Sequence, residues 1–259
     1  MCAEENLDPL YWRETYPVRT WDLEADGSFS MCSLGAILFD AAGTHAHRMG
    51  LAVSDLMGEN FTWMLSRFSV ILEHQPRWRD TISIFTWPSG IDKLSALRDF
   101  EITGSDGAVL GRASSSWLVI DRANRRPVRV EPFLEKISPD LAFPAGSGPL
   151  PKVPDLGTPA RECRFPVRWS DIDFNGHVTS ARYIGWVLDG IPPEFRKTHA
   201  VAGFDINFRA ETFLGETVIS QTEAGETADG AILHRITCEQ DGRELARARS
   251  IWREHTTAP

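Results

Sequence analysis

The sequence predicts an α+β fold in which one helix packs on an antiparallel sheet and that unit occurs twice. Three observations carry this. The stretches "SDGAVLGRASSSW" (105–117) and "QDGRELARARSIW" (240–252) align without gaps and are identical at seven of 13 positions. Both pass from an Asp-Gly turn into a strand, which is hairpin chemistry. Between the two copies, residues 132–159 hold seven of the 16 prolines together with "AGSGP", which suits neither a helix interior nor a central strand. A duplication explains the chain better than two unrelated domains. The expected organisation is a first repeat over 1–131, a Pro-rich linker over 132–160 and a second repeat over 161–259.

Each element follows in order. After an initial strand, the first repeat places its helix at about 33–49, where Leu34, Ile37 and Leu38 recur at helical spacing. Strands follow near 63–75, 80–87, 93–104 and 108–120. The second repeat again has an initial strand, then a helix near 178–190 with Val178, Tyr183, Ile184, Trp186, Val187 and Leu188 as its apolar stripe. Its strands are expected near 200–211, 215–224, 230–240 and 243–254. Consecutive hairpin-linked strands make an antiparallel sheet whose inner face must bury something, and the single long helix is the available partner. Trp12, Trp21, Trp63, Trp78, Trp87 and Trp117 are read as core and interface packing.

Composition limits the function classes. The chain has 259 residues, 42% hydrophobic and 24% charged, and a net charge of −9, which argues against nucleic acid as the main partner. No apolar run is long enough to span a bilayer. The opening "MCAEENLDPLYW" lacks the pattern of a signal or transit peptide, so a cytoplasmic location is expected. Cys2, Cys32, Cys163 and Cys238 are scattered, which fits reduced thiols rather than a metal site or a disulfide framework. His45 and His47 would lie on different helix faces, at the surface or partly buried, so no metal and no cofactor are expected. One basic segment, "DRANRRPVRV", gathers Arg122, Arg125, Arg126 and Arg129; it is either a solvated strand end or a docking patch for an acidic partner.

The chemistry concentrates in "WSDIDFNGHVTSARYIGWVLDGIP" (169–192), where Asp171, Asp173, Asn175 and His177 alternate ahead of the second helix. Asn-Gly favours the positive φ angles of a type I′ hairpin turn, so the cluster has a purely structural reading. A second such reading makes Asp173 or Asn175 the helix N-cap. Neither requires two carboxylates, an amide and an imidazole together. The functional reading is a hydrolytic centre at a helix N-terminus, with backbone N–H groups near Gly176 and Val178 receiving an oxyanion. There an imidazole near neutral pKa and a carboxamide would handle protons and water. Glu211, at the end of the strand "INFRAET", is the candidate general base, although a strand-end Glu is more often merely solvated. In the first repeat the corresponding stretch reads as "GSFSMCSLG", without carboxylate, amide or imidazole, and Glu211 falls opposite Gln75 or Pro76. The fold thus needs none of the polar set, which favours function. No G-x-S-x-G, G-x-G-x-x-G or Walker pattern competes.

These residues resemble the signature of the acyl-acyl-carrier-protein thioesterases of plastids and bacteria: W-x-D-x-D-x-N-x-H-V, then a Tyr-Ile-Gly-Trp helix ending in Ile- or Val-Pro. "NFTWMLSRFSVILEHQPRWRDTISIFTWPSG" and "RASSSWLVIDRANRRPVRV" are similar to the first-domain strands of that family, so the resemblance spans roughly residues 10–255. It implies a tandem (double) hot-dog fold and hydrolysis of fatty acyl-carrier-protein thioesters. It also implies catalytic roles for Asp173, Asn175 and His177, and matches Glu211 to the acid of the pattern Arg-Arg-Glu-Cys. The family's Cys is Thr212 here, its Gln before the histidine is Gly176, and its Asn-Asn is Thr179-Ser180. With the acids and bases retained, attack by water is expected rather than an acyl-enzyme. The acyl chain would lie along Leu34, Ile37 and Leu38, with the acidic carrier protein docked on the arginine segment. Asp171 would stand behind the site or pair with Arg168. An acyl-CoA thioesterase and a non-catalytic acyl-binding protein on the same fold are the alternatives, and both monomer and homodimer are compatible.

Overall fold

The computed structural model describes residues 8–223 and 230–254. The first half contains β1 (Trp12–Pro17), α1 (Met31–Arg48), α2 (Val53–Gly58), β2 (Phe61–Leu72), β3 (Thr81–Asp92), β4 (Ser95–Gly104), β5 (Val109–Asp121) and β6 (Arg126–Val128). A short α3 (Glu131–Leu134) leads out of it. The second half has β7 (Pro159–Pro166), α4 (Ser180–Asp189), α5 (Pro193–Arg196), β8 (His199–Phe208), β9 (Thr217–Glu223), β10 (Ala231–Cys238) and β11 (Glu244–Glu254).

The strands form one antiparallel sheet in the order β1-β3-β4-β5-β2-β8-β11-β10-β9-β7, with β6 appended to β5. Each half contributes five strands to this path, and the halves meet where β2 pairs with β8, Arg67 opposite Asn207 through Ile71 opposite Gly203. Alternation builds the inner face. In β3, Ile82, Ile84 and Thr86 are buried while their neighbours are more exposed. Helix α1 starts on Ser30, whose hydroxyl accepts the Ser33 N–H at 3.5 Å, and buries Leu34, Leu38, Ala41, Ala42 and His45 along one stripe. Helix α4 buries Tyr183, Ile184, Val187 and Leu188. The helices cross at Gly35, where an added Cβ would come 2.6 Å from Ile184 Cδ1; the missing side chain lets them approach. One continuous core follows, uniting Leu34, Leu38, Phe68, Phe100, Ile184, Val187, Phe204 and Ile236 from both halves. The fold is α+β, two helix-on-sheet units joined edge to edge.

The proline-rich segment is more than a tether. Leu150, Val153 and Leu156 are buried, Val153 and Leu156 packing on Leu233. Arg67 donates to the Leu150 carbonyl at 2.6 Å, and Asn207 accepts the Val153 N–H at 2.7 Å. The segment therefore lies across the face of the sheet opposite the helices. Two other expectations change. His45 is 1% exposed rather than superficial. It lies against Arg98 and the Pro9 carbonyl, and burial followed by the Arg98 charge lowers its pKa to about 4. Trp21 and Trp78 are exposed, not core, and stack instead on the guanidinium groups of Arg19 and Arg79.

Candidate active site

The polar motif occupies a hairpin that precedes α4. Asp173 N–H donates to the His177 carbonyl at 2.8 Å and Gly176 N–H to the Asp173 carbonyl at 3.0 Å, while Ile172 bridges Val178. Gly176 has φ +84°, the left-handed residue that closes a three-residue hairpin loop. The hairpin expected at Asn-Gly is present, but only Gly176 and not Asn175 takes a positive φ, so it is not a type I′ turn, and it also presents the side chains. Asp173 Oδ1 accepts the Asn175 N–H at 2.8 Å and stiffens the loop. The N-cap of α4 is Thr179, so neither Asp173 nor Asn175 caps the helix. Asp171 is 4% exposed and lies behind the loop. It accepts the Arg168 backbone N–H at 2.8 Å and pairs with the guanidinium of Arg182, not that of Arg168, at 2.8 Å.

Glu211 stands opposite, three residues beyond the end of β8 rather than on the strand. The turn is fastened to this loop by the Val178 N–H, which donates to the Thr212 carbonyl at 3.1 Å. Glu211 Oε1 lies 3.7 Å from His177 Nδ1, and both side chains are about one-third exposed. Phe213 sets its ring edge-on to His177 at 5.8 Å. Tyr183 lies beneath, its hydroxyl 3.4 Å from the Ala210 carbonyl, and burial followed by the Glu211 charge pushes its pKa up. Asp173, Asn175, His177 and Glu211 are therefore gathered at one loop–turn junction. Leu34 and Leu38 are fully buried on the sheet-facing side of α1, and Ile37 packs against the same core.

Two features differ from the sequence reading, the expected oxyanion donors and Arg125. The N–H groups of Gly176 and Val178 are already bonded within the hairpin and to Thr212, so they are not available to an oxyanion. Thr212 is completely buried and its hydroxyl donates to Glu216 Oε2, away from the imidazole. Glu216 in turn receives Arg243 at 2.6 Å and the Phe213 N–H at 2.9 Å. Burial raises its pKa, but the Arg243, Thr212 and Phe213 bonds outweigh that and hold it below the ordinary value. Arg125 is not simply part of an open patch: its Nη2 donates to Glu211 Oε2 at 2.8 Å across 86 residues of chain. Arg122 and Arg126 are exposed, and Arg129, also exposed, pairs with Glu131 at 2.9 Å.

The first half repeats this geometry at Glu24–Ser28, which revises the comparison between repeats. Glu24 N–H donates to Ser28 O at 2.8 Å, Gly27 N–H to Glu24 O at 3.0 Å, and Leu23 bridges Phe29. Gly27 also has φ +84°. Glu24, Asp26 and Ser28 thus stand where Asp173, Asn175 and His177 stand in the second half, so carboxylates are present in both. The equivalent of Glu211 is Gln75: Glu73 and His74 both donate to the Leu110 carbonyl, as Arg209 and Ala210 donate to that of Leu245. The Gln75 amide accepts the Phe29 N–H at 3.0 Å and donates to the Val201 carbonyl at 3.0 Å. What distinguishes the second half is the Asn175 amide, the His177 imidazole and the Glu211 carboxylate in place of Asp26, Ser28 and Gln75, not the presence of acids.

Comparisons with known proteins follow from both halves. A family profile described as acyl-ACP thioesterase N-terminal domain matches residues 9–137, and one described as acyl-ACP thioesterase C-terminal domain matches 158–254. The chain is 28% identical to a chloroplastic palmitoyl-acyl carrier protein thioesterase of Gossypium hirsutum, over 95% of this chain and 64% of that one. It is 27% identical to oleoyl-acyl carrier protein thioesterase 1 of Arabidopsis thaliana, over 95% and 77%. Against the first of these it spans a little under two thirds of the relative's length. Among solved structures, an acyl-ACP thioesterase from Bacteroides thetaiotaomicron superposes with a TM-score of 0.78 at 25% identity, covering 94% of this chain and 98% of that one. The 12:0-ACP thioesterase from Umbellularia californica gives 0.84 at 23%, covering 95% and 98%, which shows the shared hot-dog fold.

Proposed function

The chain belongs to the acyl-acyl-carrier-protein thioesterase family, and from that premise we propose that it hydrolyses fatty acyl-carrier-protein thioesters to free fatty acid and carrier thiol. The observation that carries this reading is the approach of His177 and Glu211 to 3.7 Å at the mouth of the second hot-dog unit. Glu211 is the general base toward water, and His177 shares the proton traffic. The Asn175 carboxamide is partly exposed at the same turn and orients the water or the thioester carbonyl. Asp173 holds the turn that carries Asn175. With the Gly176 and Val178 N–H groups occupied, the developing oxyanion is assigned to the first turn of α4, whose leading N–H groups have no partner within the helix.

Binding and chemistry divide between the repeats. We assign the acyl chain to the first unit, along the α1 stripe of Leu34, Ile37 and Leu38, and catalysis to the second. Each buried methylene contributes about 0.8 kcal/mol, so the depth reached beside α1 sets chain-length preference. The acidic carrier protein meets Arg122, Arg125, Arg126 and Arg129 by charge complementarity. Thr212 has no nucleophilic role, because its hydroxyl is buried and bonded to Glu216.

The test is thiol release from a ladder of medium- to long-chain acyl-carrier proteins, with the matching acyl-CoA esters alongside at low salt. Preference for the carrier-protein esters is expected. Release from the CoA esters alone would transfer the activity to acyl-CoA hydrolysis, and release from neither would leave an acyl-binding protein.

A further inference from the structure

We infer that Arg125 is a specificity-determining residue which holds the Glu211 carboxylate closed until the phosphodiester of the substrate's phosphopantetheine arm draws the guanidinium away. The inference rests on the proposed acyl-carrier-protein hydrolysis and concerns how the same site tells carrier-borne thioesters from simpler ones.

Three observations support it. The first is position. Arg125 ends the β5–β6 turn, and Asp121 braces that turn by accepting the Ala123 N–H at 2.8 Å, the Asn124 N–H at 3.2 Å and the Asn124 amide at 2.7 Å. Arg125 itself adopts φ +53°, an uncommon conformation for a residue other than glycine. A braced turn from the first half thus delivers one guanidinium to the carboxylate of the second. The second observation is occupancy. Arg125 Nη2 covers Glu211 Oε2 at 2.8 Å, while Oε1 faces the imidazole. A carboxylate oxygen engaged by a guanidinium is poorly placed to take a proton from water. The third is accessibility. The Arg125 side chain is 75% exposed against 32% for Glu211. An ion pair so wetted is weak, and a better anion displaces it easily.

A phosphodiester is that anion, since it takes charge-assisted bonds from a planar guanidinium fork. Arg122 and Arg126 flank the same turn, both exposed, and supply the remaining positive charge. The pantetheine arm separates phosphate from thioester by more than a dozen bonds, so one guanidinium cannot hold both phosphate and Glu211. Bound at the phosphate, Arg125 has swung outward and left Oε2 open to water as the thioester arrives. Thioesters without a phosphate bind without opening the base.

The experiment compares wild type, Arg125→Met and Arg125→Lys on an acyl-carrier protein and on the S-acyl pantetheine of the same chain length, which has no phosphate. For Arg125→Met the expected result is a kcat on acyl-pantetheine raised about threefold or more, as the base is freed. Its kcat/KM on the acyl-carrier protein falls about tenfold through KM, the loss of one charge-assisted contact. Arg125→Lys keeps the charge and recovers part of the KM. A fall in kcat on acyl-pantetheine in Arg125→Met would overturn the inference, because Arg125 would then assist the reacting atoms. Unchanged kinetics on both substrates would overturn it as well. If wild type releases thiol from neither substrate, the hydrolase reading itself fails, an outcome separate from a latch failure in an active enzyme.

Discussion

Thr212 stands where the family pattern has cysteine, and its surroundings decide its role. The hydroxyl is fully buried, aimed at Glu216, and part of a network that includes Arg243. Thr212→Val keeps the shape but removes a charge-assisted bond to the partly exposed Glu216 carboxylate, so it is expected to cost about 1–2 kcal/mol of stability in chemical denaturation while kcat is retained. A collapse of kcat with stability intact would return this position to the chemistry. Glu216 adds a pH signature. Its folded pKa lies below the ordinary 4.5, so its contribution to stability is present above that value and is lost as pH falls through the folded pKa. Removing Arg243 as Arg243→Met should flatten the acid limb of a stability-against-pH curve, measured by thermal melts between neutral and acid pH; a limb of unchanged slope would contradict the assignment. None of this network was legible in the sequence, because Thr212, Glu216 and Arg243 come together only through the β9 turn and the β10–β11 hairpin. The Arg125 contact to Glu211 was hidden for the same reason. Both arginines were visible as residues and not as partners.

At the scale of elements, turns and close approaches set the geometry. Gly176 holds φ +84° and nothing lies within 4 Å of an added Cβ, so Gly176→Ala is purely a conformational test. It is expected to cost about 1–2 kcal/mol and to lower kcat, since the strained turn carries both Asn175 and His177. Gly111 differs: an added methyl meets the Ile71 carbonyl and the Leu72 backbone, which no rotamer relieves. Gly111→Ala should lower stability by about 1–3 kcal/mol or more through forced separation of β2 and β5, read by melting temperature. The two long helices α1 and α4 and most strands were legible from hydrophobic periodicity to within a few residues, whereas the short α2, α3 and α5 were not. Glu211 was misplaced because "INFRAET" continues the alternation past Phe208, where the strand in fact ends. The Glu24–Ser28 turn was missed as the counterpart of Asp173–His177. The first half has an 18-residue α1 and a 6-residue α2 against the 10-residue α4 and 4-residue α5 of the second, so the ungapped register of the strands does not carry back across the helices.

Across the whole molecule, duplication was readable from "DG…L.RA.S.W" in each half, but the way the halves join was not. They share one core under α1 and α4 and one sheet through β2 and β8. The seam is tied by Ser69 to Asp205 at 2.6 Å, and Arg249 of the second half holds Asp205 in place at 3.1 Å. With Phe204 and Ile206 buried in the common core, neither half can unfold without exposing the other. Tryptophan fluorescence and far-UV circular dichroism should therefore report a single coincident transition, whereas two separated transitions would show the halves to be energetically independent. We propose that Glu211, facing His177 where the turn before α4 meets the loop after β8, activates water for thioester hydrolysis. Its most direct test is thiol release from an acyl-carrier protein by wild type and by Glu211→Gln, each checked for an unchanged melting temperature. Turnover by wild type and a loss of about 10²- to 10⁴-fold in the variant are expected; a folded Glu211→Gln with wild-type turnover would remove Glu211 from the chemistry.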